Sequence, residues 1–288
     1  MSTKTEKIGV GIITCNRPDY LKQLLNSMVE CYSMTECLVD YIVIVNDGKP
    51  LETPPHIGVL LQNEQNVGVA KSKNRAMKYL FDKGCDYIFI IEDDMLIKDK
   101  TVFQQYVEAY KASGIHHFNY GPGSPFNRKQ KIQNFDLHNR HLLDTDTEPN
   151  PKMIIDYKTC KIALYEHTVA AFSFFTRTLL EKGLGYMCED FDNCWEHVSS
   201  TNYIIKAGYH PPFWWFADLA NSHELVTEAP GAIENSAIAK DNESWMKRVM
   251  SGREIYKKKH GYYPNQPPPS TEEEVIQILK KLKKDIKK

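Results

Sequence analysis

Three carboxylates stand side by side at Glu92-Asp93-Asp94, directly behind the apolar run Tyr87-Ile88-Phe89-Ile90-Ile91. A short, continuous, Ile-rich run suits a strand buried on both faces of a parallel sheet. Such a strand delivers the triplet to the carboxyl edge of the sheet, where open α/β sheets bind their ligands. Adjacent carboxylates repel one another and require a cation. Hard oxygen donors suit Mg2+ or Mn2+, ions that keep water and phosphate oxygens in their remaining positions. A solvated acidic turn is the bland alternative, and the place behind a buried strand speaks against it.

Two further segments belong to the same edge. Asp47, in Val45-Asn46-Asp47-Gly48, closes a preceding apolar run and is placed to accept from a base N–H or a ribose hydroxyl, although Asn-Asp-Gly is also an ordinary turn sequence. In Asn66-Val67-Gly68-Val69-Ala70-Lys71-Ser72-Lys73-Asn74-Arg75, Gly68 lets backbone approach a ligand closely. The helix start behind it offers free N–H groups together with Lys71, Lys73 and Arg75, a combination that favours a diphosphate. A solvated basic helix face explains the segment equally well.

The elements that must position these groups are legible. Ile8 to Thr14, Tyr41 to Val45 and Tyr87 to Ile91 read as buried parallel strands. Leu21, Leu24, Leu25 and Met28 form a helical stripe behind Pro18 and Asp19 as start signals, and Ala70, Ala76, Met77, Leu80 and Phe81 form another. Alternating strand and helix over the first hundred residues predicts a right-handed α/β wind. A weaker helix is expected over Thr101 to Ala112, a polar loop from His116 to about Pro151, a strand over Thr168 to Phe175, and helix within Glu189 to Ile205. The aromatic segment Phe213-Trp214-Trp215-Phe216 follows; its tryptophans offer faces for a sugar or base but suit the core better. Pro264, Pro267, Pro268 and Pro269 make a stiff linker. Beyond it, Thr271 and Glu274 have capping-box spacing, and Val275, Ile278, Leu279, Leu282 and Ile286 mark one face of a lysine-rich helix expected to dock on the body.

Composition narrows the function. Thirty-six basic and thirty-seven acidic residues argue against a uniformly basic nucleic-acid binder. Seven cysteines without CxxC spacing argue against a disulfide framework or a structural zinc site. No apolar run suits a signal peptide or a membrane span, so a soluble, cytoplasmic protein without a transmembrane segment is expected.

In order and spacing, Ile8-Gly9-Val10-Gly11-Ile12-Ile13-Thr14-Cys15-Asn16-Arg17-Pro18, then Val-Asn-Asp-Gly, Asn-Val-Gly-Val-Ala and Ile-Ile-Glu-Asp-Asp resemble a family 2-type glycosyltransferase of the GT-A fold. The acidic motif is also similar to that of N-acetylglucosaminyltransferase I. The resemblance implies an α/β, Rossmann-like, mostly parallel sheet flanked by helices over residues 1–260, with a nucleotide-sugar half (1–115) and an acceptor half (116–260). Residues 261–288 then form a linker and a C-terminal helical extension. It implies a Mn2+ or Mg2+ ion on Asp94, with Glu92 and a late His, His223, as further ligands. Thr14, Asn16, Arg17, Asp47, Asn66, Gly68, Lys71, Lys73, Asn74 and Asp93 would hold the nucleotide. This chain departs from the pattern with an acidic middle residue in the triplet, and with Lys73 where relatives often carry Arg.

A looser likeness runs through Gly185-Tyr186-Met187-Cys188-Glu189-Asp190-Phe191-Asp192, Trp195 and Gly208-Tyr209. It implies Asp190 as general base, with Asp192 and Glu189 as substitutes; the alternative is that these acids only cap the following helix. The implied reaction is inverting, metal-dependent transfer from a UDP-sugar to an acceptor hydroxyl. The loop from Gly121 to Arg140 is placed to close over the donor. The acceptor is a saccharide or, less favoured by the charge balance, a hydroxymethylated base in DNA. DNA would be gripped by the 126–140 loop (Phe126, Arg128, Lys129, Lys131, Phe135, His138, Arg140) and the C-terminal lysines. Two rival classes share these features: a nucleotidyltransferase, against which Thr14-Cys15-Asn16-Arg17-Pro18 is poor in glycine, and a non-catalytic sugar- or partner-binding module.

Overall fold

In the computed structural model the run Ile8–Thr14 is strand β1, buried along its whole length. It lies between β2 (Tyr41–Asn46) and β4 (Tyr87–Glu92), parallel to both. The structure describes residues 6–31, 39–52, 58–132, 143, 146–192, 194–212, 215–232, 235, 241–264, 266 and 268–286. Helix α1 (Pro18–Cys31) follows β1, and α2 (Val69–Asp82) connects β3 (Val59–Gln62) to β4. The wind expected from the alternating pattern is thus present. The four-residue β3, half-buried at the sheet edge beside β2, is too short to stand out in the sequence.

The sheet continues in the order β3-β2-β1-β4-β9-β6. Strand β9 (Phe172–Thr176) is antiparallel to both β4 and β6 (His117–Asn119), so β9 alone runs against the others. Its start is later than the run from Thr168 suggests, although Ala171 O still accepts from Glu92 N of β4 at 2.8 Å. On one face, helices α1 and α3 (Val102–Ser113) cover a core in which Phe89, Phe103, Tyr106, Phe172 and Phe174 pack ring against ring. Helix α2 covers the other face with Ala70, Ala76, Met77 and Leu80.

Two small sheets come from the second half. Strands β7 (Met153–Tyr157), β8 (Cys160–Tyr165) and β10 (Phe216–Leu219) form an antiparallel unit. Alternating exposure in β7 leaves no continuous apolar run, so this hairpin is silent in the sequence. Strand β5 (Met95–Ile97), directly behind the acidic triplet, pairs with β11 (Val226–Glu228), which follows the short helix α6 (Ser222–Leu225). Between them lie α4 (Arg177–Glu181) and α5 (Glu196–Lys206). Helix α5 starts seven residues later than the acidic segment at Glu189 suggests.

Helix α7 (Asn242–His260) ends at Gly261, and α8 (Glu272–Ile286) follows the proline segment. The capping box forms as spaced: Thr271 N donates to Glu274 Oε2 at 2.8 Å, and Glu274 N donates to Thr271 Oγ1 at 3.2 Å. Val275, Leu279 and Leu282 are buried in the main core, while Lys280, Lys281 and Lys283 face solvent. The six described cysteines are free, and no helix among the described residues is long and apolar enough to cross a membrane. Because α8 completes the core, Leu279→Ala should lower the unfolding free energy by about 2–5 kcal/mol in urea titration. A surface tether would lose almost nothing.

Candidate active site

The parallel register sets Ile13 against Glu92, so the end of β1 lies beside the acidic triplet. Thr14 Oγ1 donates to Asp93 Oδ2 at 2.7 Å, and Asp93 N donates to Ile13 O at 3.1 Å. Asp93 has no solvent exposure. Arg17, at the entrance to α1, forks across the turn, one amine on Asp93 and the other 2.8 Å from Asp94 Oδ2. Burial pushes the Asp93 carboxyl up to about 7 even against Arg17 and Thr14. Glu92 points to the other side, where Lys73 Nζ donates to its Oε1 at 2.6 Å and to Ala170 O at 3.0 Å. Lys73 is 1% exposed. The triplet therefore meets two cations of the chain itself, one from the loop before α1 and one from α2.

Glu228, which nothing in the local sequence singles out, joins this group through tertiary pairing. It sits opposite Met95 in the β5–β11 ladder, and Ala229 N donates to Asp94 O at 2.7 Å. Burial, followed by the charges of Asp94 and Glu92, raises the Glu228 carboxyl to about 7. His223 lies in α6 before that strand; its Nδ1 is buried without a partner, and burial holds the imidazole below its ordinary pKa. Among the described residues no three His, Cys, Asp or Glu side chains gather as a metal cage. The donor set nevertheless fits a hard divalent cation of the kind that takes one or two carboxylates and completes its shell with phosphate and water. Asp94 and Glu228 supply charged oxygens, and their mutual repulsion is what a cation relieves.

Behind β2, where its N donates to Thr14 O at 2.9 Å, Asp47 organises the turn into α2. Its Oδ1 accepts from Val67 N at 2.8 Å and Asn63 Nδ2 at 2.7 Å, and its Oδ2 accepts from Gly68 N at 2.9 Å. Gly68 caps α2 at φ 89°, ψ 164°, a conformation open essentially to glycine alone. Asp47 thus builds the backbone of the candidate diphosphate site, a different task from presenting a bare carboxylate to a nucleoside. Asn66 Nδ2 donates to Asp47 O at 3.2 Å, and Asn16 Oδ1 accepts from Lys49 N at 2.9 Å, tying the loops behind β1, β2 and β3 together. Lys71 is exposed. With Asn74, Arg75, Lys78, Tyr186 and Glu189 it lines a groove of about 490 Å³ along α2.

The acidic segment 189–192 lies on the outer side of that groove. Asn74 fastens it: Asn74 Nδ2 donates to Met187 O and Glu189 Oε1, both at 2.9 Å, and Asn74 Oδ1 accepts from Met187 N at 2.7 Å. Asp190 is exposed and 2.6 Å from Lys259 of α7, whose hydrogen bond holds its carboxyl below the usual range. Asp192 is exposed, 3.8 Å from Arg248. None of the three caps α5. The acid that begins α5 is Glu196, 4% exposed, close enough to Lys73 and Glu92 for their charges to act on one another. Counting three helical turns back from the Gly208 turn leads to Glu196; the eye is drawn instead to the denser acids upstream.

In the segment expected to contact DNA, the described residues Phe126, Arg128 and Lys129 have partners within the chain. Arg128 donates to Pro122 O at 2.7 Å and Thr147 O at 2.5 Å, Lys129 pairs with Glu148 at 2.5 Å, and Phe126 stacks near His167. Phe135, His138 and Arg140 lie outside the described residues, as do Phe213 and Trp214; Trp215 packs against the main core. The Lys73–Glu92 pair yields a direct test. Lys73→Met strands a largely buried carboxylate and should cost about 3 kcal/mol in urea unfolding, with Lys73→Met/Glu92→Gln recovering most of the loss. Equal stability of the single and double variants would contradict the pairing.

The family model described as glycosyl transferase family 2 matches residues 9–177. Among solved structures, the chain is similar to S. aureus TarS 1-349 at 17% identity and TM-score 0.42, over 67% of this chain and 53% of that one. It is also similar to the mannosyltransferase PcManGT from Pyrobaculum calidifontis in complex with GDP-Man and Mn2+, at 15% identity and TM-score 0.45, over 73% of this chain and 56% of that one. The match spans little more than half the length of those chains. No curated protein matches. With the family match extending over more than half of its residues, the chain belongs to glycosyl transferase family 2, and its mostly parallel sheet flanked by helices is of the GT-A type.

Proposed function

We propose that this chain transfers a sugar from a nucleotide-sugar, a UDP-sugar, to a saccharide hydroxyl with inversion at the anomeric carbon. The observation that carries this reading is the approach of Glu228 to Asp94 at the carboxyl end of β4, beside Glu92, which Lys73 of α2 holds one turn behind the Gly68 cap. The acids gather negative charge for a cation; the start of α2 presents helix N–H groups to phosphate. Family membership supports sugar transfer, and the motif resemblance favours UDP.

Asp94 and Glu228 would hold Mn2+ or Mg2+, which when bound offsets the charge that develops on the departing diphosphate. Everything else falls to side chains of the chain. Arg17 and Lys73 hold the carboxylates in place and offset part of their mutual repulsion. The Gly68 turn, rigid through Asp47, orients the diphosphate. Segment 168–171 is fixed beside Glu92 by Lys73 on Ala170 O.

The test is nucleoside diphosphate release from a panel of UDP- and GDP-sugars with Mn2+ and a saccharide acceptor. Release should depend on Mn2+, stop with EDTA, and fall about 10³-fold in Asp94→Asn, as loss of several kcal/mol of charge stabilisation implies. Turnover indifferent to EDTA and to Asp94→Asn removes the metal assignment, and pyrophosphate release from a nucleoside triphosphate replaces the reading with nucleotidyl transfer.

A further inference from the structure

Strand β11 sets the backbone of Glu228 opposite Met95, but the place of its carboxylate depends on another part of the chain. The turn Gly121-Pro122-Gly123 lies against it. A Cβ added to Gly123 would meet Glu228 Oε1 at 3.0 Å, Tyr120 Cδ1 at 2.9 Å and Val169 Cγ2 at 2.8 Å. Tyr120 is 1% exposed and packed on all sides, whereas a carboxylate at the end of a flexible side chain yields. The missing side chain at Gly123 is therefore what lets Glu228 sit where it does. Arg128, five residues further on, is near enough for its charge to act on Glu228.

The turn itself is seated on a buried acid. Asp218 of β10 has no solvent exposure, and its Oδ2 accepts from Gly121 N at 2.9 Å. Its Oδ1 accepts from Tyr106 Oη of α3 at 2.6 Å and from Leu219 N at 2.8 Å. Gly121 lies against the ring of Tyr165, with no space for a side chain between them. The carbonyls of the turn are taken as well: Asn127 Nδ2 donates to Gly121 O at 2.8 Å, and Arg128 Nε donates to Pro122 O at 2.7 Å. Withdrawing a carboxylate from water costs free energy, which the donors around Asp218 offset. The acid thereby locks α3, β10 and the turn to one another.

Resting on the cation assignment above, we propose that Asp218 is a positioning residue for sugar transfer: it seats the Gly121 turn, and through Gly123 the turn sets where the Glu228 carboxylate meets the divalent cation beside Asp94. Asp218 touches neither donor nor cation, and its effect passes through Glu228. Residues 121–128 are a rest against which that ligand is held. A small displacement of the rest weakens cation binding without removing any ligand.

The experiment reads the Mn2+ affinity of the full chain by electron paramagnetic resonance, without a sugar donor. Asp218→Ala should raise the Kd for Mn2+ about 10- to 100-fold. The double variant Asp218→Ala/Glu228→Gln should bind Mn2+ within about twofold of Glu228→Gln, because both substitutions act on the same ligand. Tyr106→Phe separates positioning from general loosening. It takes one donor from Asp218 Oδ1 but leaves Gly121 N on Oδ2, so it should lower stability and leave Mn2+ affinity within about twofold. Should Asp218→Ala fail to fold, Gly123→Ala carries the same test, with the same rise in Kd and the same non-additivity with Glu228→Gln. Unchanged Mn2+ affinity in the tested variant, additive losses in the double variant, or an equal loss in Tyr106→Phe overturns the proposal. A wild type that binds no Mn2+, or Glu228→Gln binding it as tightly as the wild type, overturns the cation assignment itself, and so is distinguishable from the failure of Asp218 alone.

Discussion

The constraint on which the site depends is the desolvation of several carboxylates at one end of one strand. Two like charges about 4 Å apart repel by about 4 kcal/mol at an effective dielectric near 20, so Glu92, Asp93, Asp94 and Glu228 cannot share the carboxyl end of β4 without counter-charge. The chain supplies part of it. Lys73 arrives from α2 and Arg17 from the entrance to α1, which fastens both helices to the same turn. Asp93, raised to about 7 despite Arg17, shows how incomplete the compensation is. A site left short of positive charge in this way is where the proposed divalent cation would relieve the repulsion.

The same ion pairs explain the division of labour around the crevice. Lys73 spends one hydrogen bond on Glu92 and another on Ala170 O, so the strand that bears the acids, helix α2 and segment 168–171 form one tied corner. Asp47 does the equivalent on the opposite side by drawing Val67, Gly68 and Asn63 onto one carboxylate. Charge that would be costly if left bare is converted into backbone geometry. The second half of the chain then contributes through long-range pairing: β11 lays Glu228 beside Asp94, and β10 brings Asp218 to the Gly121 turn.

The readable part of the sequence is the part whose chemistry is local. β1, β2 and β4 declare themselves as continuous apolar runs because both of their faces are covered. α1, α2 and α8 declare themselves by helical stripes and caps, and the Thr271–Glu274 box forms as its spacing requires. β3 is too short to stand out, and β7 is obscured by its alternating exposure. The acids at 189–192 attract attention because they are dense, yet the tertiary structure spends them on Asn74, Lys259 and Arg248.

By itself the sequence determined the parallel α/β wind, the edge on which the acidic triplet emerges and the glycine turn opposite it. Each follows from hydrophobic period, capping and backbone freedom within a dozen residues. Only the tertiary structure decided which acids matter beyond that triplet. Asp218 and Glu228 are ordinary acids in the chain; burial beside Tyr106 and Asp94 makes them functional candidates. Burial and charge proximity come from contacts more than a hundred residues apart along the chain, and no local pattern encodes them.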